Sequence, residues 1–66
     1  MRVIDINDKE REVESIKKYM FGFADKDGVP REEPYVEVVI VGRSGRRWKE
    51  WWPYAVYKEK NPSSVV

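Results

Sequence analysis

Sixty-six residues make one domain with one small core, and the absence of both Cys and His excludes disulfides, thiolate or imidazole metal sites and His-based acid–base catalysis. Charged residues reach 38% but cancel to a net of +1, so no global field steers the chain toward a polyanion. What remains to stabilise so short a chain is self-association or the bulk of its three Trp, four Tyr and two Phe.

In chain order, Arg2–Ile6 is a β-branched run and reads as a strand, broken by the turn-forming Asn7-Asp8-Lys9-Glu10. Residues 11–23 carry two patterns. Val13, Ile16, Met20 and Phe23 recur at helical spacing, with Asn7 and Glu10 placed as a capping box, which predicts a helix over residues 9–21 and an α+β fold. Tyr19, Phe21 and Phe23 alternate instead, and Gly22 costs ~1 kcal/mol inside a helix, which favours a strand paired with Arg2–Ile6. Residues 24–34 (ADKDGVPREEP) read as a mobile loop, from their charge, the Asp27-Gly28 turn and the two prolines.

Tyr35–Val41 is the clearest strand. Val36, Val38 and Ile40 point one way, and Tyr35, Glu37, Val39 and Val41 the other, which predicts a central strand covered on both sides. Gly42-Arg43-Ser44-Gly45 turns the chain, its two glycines suited to positive φ, and Arg46–Trp52 returns as the partner strand. Trp48 and Trp52 then share one face while Trp51 joins Arg47 and Lys49 on the other. Pro53 stops the ladder, residues 53–58 form a helical turn or a last short strand, and residues 61–66 are a tail that either adds an edge strand or frays. No repeat, linker or low-complexity tract divides the chain, and the predicted core is Val36, Val38, Ile40, Trp48 and Ile16.

The strand reading makes the protein mainly β, a small partly open barrel around a central hairpin at residues 35–52. A long loop after the second strand, a tight hairpin between the third and fourth and a Pro-led break resemble the layout of SH3-like small β-barrel domains. The match is one of layout, so it transfers no binding residue. In length and composition the chain is also similar to small accessory proteins of phages and prophages.

Residues 43–60 hold six basic side chains and two acidic ones, whereas residues 1–42 hold seven basic and ten acidic. The basic-aromatic segment therefore supplies the candidate site: Arg43, Arg46, Arg47, Lys49, Trp51, Trp52 and Tyr54. Trp, Tyr and Arg dominate protein–protein hot spots, and the same residues can neutralise phosphates and stack bases. A domain this small also needs indole area in its core, which competes for Trp48 and Trp52 and leaves Trp51 as the better contact. Asp25-Lys26-Asp27-Gly28 begins like a calcium loop, but Pro34 stands where the closing Glu belongs. The sequence thus predicts a non-catalytic binding module, for a protein partner or a second copy, with nucleic acid as the alternative. It predicts no cofactor, metal or membrane segment. With no apolar leader, the location is read as cytoplasmic.

Overall fold

The computed structural model describes residues 1–64. Strands β1 (Arg2–Ile4), β2 (Glu10–Ala24) and β3 (Pro30–Val41) are followed by a 3₁₀ turn at Arg43–Gly45, strand β4 (Arg47–Pro53) and helix α1 (Tyr54–Lys60). The strands form one antiparallel meander in the order β1-β2-β3-β4, curled into a half-barrel. The fold is mainly β, and the helical alternative for residues 9–21 is replaced by a fifteen-residue strand. The helix-like spacing has a definite cause. Val13 faces Ile40 and Ser15 faces Val39, so Glu14 is an extra residue in β2. Beyond that bulge Ile16 rejoins Val13 on the core side, three positions later, which imitates one turn of helix.

The core is Val3, Val13, Val36, Val38, Ile40, Trp52 and Tyr57, with Ile16, Trp48 and Tyr54 packed at its margin. Helix α1 covers it, stacking Tyr57 against Trp52 with ring centroids 6.3 Å apart. Only one face of β3 is buried. Tyr35, Glu37, Val39 and Val41 on the other face are half-buried, so the expected double cover is absent. In the turn after β3 it is Ser44 and Gly45 that take positive φ, while Gly42 is extended at φ −91°.

Two turns share one design that neither composition nor motif reading revealed. Asp5 Oδ1 accepts the backbone N–H of Asn7 and Lys9, and its Oδ2 accepts Arg11 Nε at 2.8 Å. Twenty residues on, Asp25 Oδ1 accepts Asp27 and Val29 N–H, and its Oδ2 accepts Arg31 Nε at 3.0 Å. The fourth residue of each turn, Asp8 or Gly28, has positive φ. This is the three-residue hairpin loop with a left-handed final position.

The loop expected over residues 24–34 is therefore only the turn between Ala24 and Pro30. Pro30–Pro34 belong to β3 and pair with Met20–Ala24. The N–H of Asp25 bonds the carbonyl of Val29, which fixes the alternation: odd-numbered residues of this hairpin bond across the ladder and even-numbered ones point away. Pro30 and Pro34 are even-numbered, so their missing N–H groups cost the ladder nothing. The hairpin formed by residues 19–24 and 30–35 projects beyond the core. The molecule measures 45 × 24 × 19 Å, and its radius of gyration of 13.5 Å exceeds the ~11 Å of a compact chain this long.

The segment after α1 is not a free tail. Asn61 accepts the Ile4 N–H at 2.8 Å and donates to the Ile4 carbonyl at 2.8 Å, imitating a neighbouring strand at the edge of β1. Its backbone N–H also closes the last turn of α1 on Tyr57 O. Tyr57 and Ser64 hydroxyls are hydrogen-bonded. Val65 and Val66, the end of the expected tail, lie outside the described residues.

Candidate functional site

The seven candidate residues separate once the strands are paired. The residues of β4 alternate between core and outer face. Trp48, Glu50 and Trp52 oppose Ile40, Val38 and Val36 on the core side. Trp52 is 1% exposed and is therefore removed from the candidate contacts. Both indole N–H groups are held by one carboxylate: Trp48 Nε1 donates to Glu50 Oε2 at 2.8 Å and Trp52 Nε1 to Oε1 at 3.0 Å. Glu50 thus brackets two Trp that would otherwise bury unpaired donors. Tyr54 is also on the core side, half-buried, with Lys18 Nζ 4.2 Å from its ring centroid.

Arg47, Lys49 and Trp51 do share the outer face, as alternation predicts. Trp51 is 44% exposed. Around it stand rings that sequence reasoning left out of the site. Phe21 lies 5.2 Å from Trp51 at 76° and 5.5 Å from Tyr35 at 80°, and Tyr19 lies 5.5 Å from Trp51 at 60°. These are tilted and edge-to-face contacts of the favoured kind. Tyr19 and Phe21 remain 42% exposed, and Phe23 extends the row at 45%. The alternation of Tyr19, Phe21 and Phe23 was visible in the sequence. Their meeting with Trp51 was not, because it depends on where β2 registers on β3.

The basic residues are unequal. Arg47 is paired with Glu14 at 2.8 Å, and Lys49 approaches Glu37 at 4.0 Å. Arg43 and Arg46 are exposed at the 3₁₀ turn and make no ion pair with a described residue. They sit at the end of the sheet away from the projecting hairpin, so no continuous basic strip joins them to the aromatic face.

At the β1–β2 end of the sheet the charges are largely paired with one another. An open depression of about 750 Å³ is lined in part by Arg2, Glu10, Arg11, Glu12 and Trp48. Arg2 pairs there with Glu10 at 2.6 Å and Glu12 at 3.3 Å, and Arg11 with Asp5. Burial of Asp5 opposes its ionisation, but the Arg11 hydrogen bond, the Lys9 and Asn7 amides and the Arg11 charge outweigh it and hold its carboxyl below the ordinary range. In Asp25 the Val29 amide leads, followed by Arg31, and lowers the carboxyl likewise. Both carboxylates are tied to their own turns. Among the described residues no cluster of three or more His, Cys, Asp or Glu could hold a metal, and no helix is long and apolar enough to cross a membrane. The candidate site is the outer aromatic face, and comparison of the chain with protein-family models, curated proteins and solved structures returns no match.

Proposed function

We propose that this protein is a non-catalytic binding module that receives a protein partner on its outer aromatic face. The observation that supports the reading is the cluster of Trp51, Phe21, Tyr19 and Tyr35 on the side of the sheet opposite the core. Exposed large rings, packed against one another and flanked by Arg47 and Lys49, are the residue types that concentrate binding energy in protein interfaces. Their mutual contacts pre-order the side chains, which lowers the entropic cost of docking. A cytoplasmic setting accords with a chain that has no cysteine.

The test is selection of peptides from a display library on the immobilised domain. Enriched sequences should carry aromatic or aliphatic anchors, and their binding should fall by about tenfold or more with Trp51→Ala or Phe21→Ala. Enriched peptides that bind both variants as tightly as the parent would place the interface elsewhere. The nucleic-acid alternative rests on Arg43 and Arg46, and it requires affinity that drops steeply with salt and survives Trp51→Ala.

A further inference from the structure

The sheet has several exposed edges, and all but one are closed. The edge of β1 is capped by the Asn61 amide. The edge of β4 carries Arg47 and Lys49 and ends at Pro53. The projecting part of β3 has Pro30 and Pro34 at two of its three outward positions, with Glu32 between them. These are the charge and proline devices that stop strands from templating further strands. The projecting part of β2 has no proline, and its one edge charge, Lys18, stands at its root. Lys18, Met20, Gly22 and Ala24 direct their backbone N–H and C=O groups outward, all are exposed, and no proline interrupts them.

We infer that this edge pairs antiparallel with the same edge of a second copy of the chain, about a two-fold axis at Phe21. That axis maps the four outward residues onto themselves. Lys18 meets Ala24 of the other copy, and Met20 meets Gly22, whose missing side chain leaves room for the thioether. On the aromatic face Phe21 meets Phe21 and Tyr19 meets Phe23, so ring opposes ring. Lys17, which faces Glu37 across the β2–β3 ladder but forms no ion pair with a described residue, comes opposite Asp25, whose Oδ2 also holds Arg31. A register centred at Tyr19 would bring the other copy's Asp25 against Val13, whose N–H already bonds Met1, and one centred at Lys17 or Lys18 would set that lysine against its own copy. The other copy's turn reaches Ser15 and stops short of Met1, whose carbonyl already bonds the Val13 N–H. The second strand therefore fits the gap that β1 leaves. The pairing uses edge backbone groups, so it stands or falls separately from what docks on the aromatic face.

Sedimentation equilibrium over a range of concentrations tests it. The parent chain should show a reversible dimer. Met20→Pro removes one outward N–H and no bond of the β2–β3 ladder, and should weaken the dimer by about tenfold or more. Lys17→Asp leaves every backbone group in place, sets like charges opposite, and should weaken it in the same direction. In a chain without cysteine, Phe21→Cys gives one thiol per copy. Two such residues in a non-hydrogen-bonded pair lie ~4.5 Å apart at Cα, within disulfide range, and mild oxidation should link them. A parent chain that stays monomeric throughout overturns the inference, as does a dimer that neither Met20→Pro nor Lys17→Asp weakens. Failure of Phe21→Cys to cross-link overturns the register.

Discussion

Gly42 lies where β3 enters the 3₁₀ turn, and a Cβ at that position would stand 2.6 Å from Cζ3 of the Trp48 indole. Its role is space and not positive φ, which the two residues at Ser44 and Gly45 supply. Gly42→Ala must push the indole off Ile40 and strain its bond to Glu50, at a cost of ~1–3 kcal/mol. Urea denaturation should show the loss as a lower midpoint with an unchanged slope. Asp5 is the other residue on which local order turns. The residue is 3% exposed and its carboxyl accepts three hydrogen bonds. Asp5→Asn keeps the acceptor for the amides but loses the charge that Arg11 faces, and should cost ~1–3 kcal/mol. The native state holds this carboxyl below its ordinary pKa, so it binds fewer protons folded than unfolded. The stability it contributes is present above pH ~4 and is lost as pH falls below that value. Thermal unfolding followed from pH ~6 to pH ~3 should therefore decline less steeply in Asp5→Asn than in the parent.

At the scale of the element, the pairing and facing of the β3–β4 hairpin were legible because alternation and a short Gly-bounded turn act within a dozen residues, whereas the φ pattern of the turn and the one-sided burial of β3 were not. The core positions Val36, Val38 and Ile40 follow directly from it. Ile16 and Trp48 sit at the margin, and Trp52, Val3, Val13 and Tyr57 complete the interior. Tyr57 could not be read as core without knowing that residues 54–60 form a helix folded back over the sheet. The β2–β3 hairpin was half legible. Its strand character was visible in Tyr19, Phe21 and Phe23, but Glu14 broke the alternation and borrowed the look of a helix. Its return strand was hidden by Pro30 and Pro34, whose meaning depends on which amides face the partner. The twin turns escaped notice because an aspartate that accepts two amides and an arginine is spelled by only two fixed residues, six positions apart. The site was legible where it lay on β4 and illegible where it crossed to β2, since ring meets ring only after register is set.

For the whole molecule, the three tryptophans have three fates. Trp52 is sealed in the core, Trp48 closes its margin against Gly42, and Trp51 is on the opposite face. Trp52→Ala should cost ~3–5 kcal/mol, comparable to the entire stability of a domain this small, and leave the chain unfolded by circular dichroism. Trp51→Ala should fold and melt within a few degrees of the parent. If Trp51→Ala unfolds the chain and Trp52→Ala does not, the sheet faces are assigned the wrong way round. The Trp48→Ala variant should fall between them.

The length of β2 has one more consequence. Beneath residues 19–24 there is no packed layer, and an isolated pair of strands is barely stable in water. The hairpin owes its order to the Asp25–Arg31 clasp at one end and to the rings around Trp51 at the other. Protection of amides from deuterium should accordingly run as a slope along the long axis, high at Val36 and Val38 and falling toward the tip. Trypsin should cut first after Lys26. The protein is thus a firm body carrying a softer arm, and whatever seats against that arm will register as slowed exchange there before it is felt in the core.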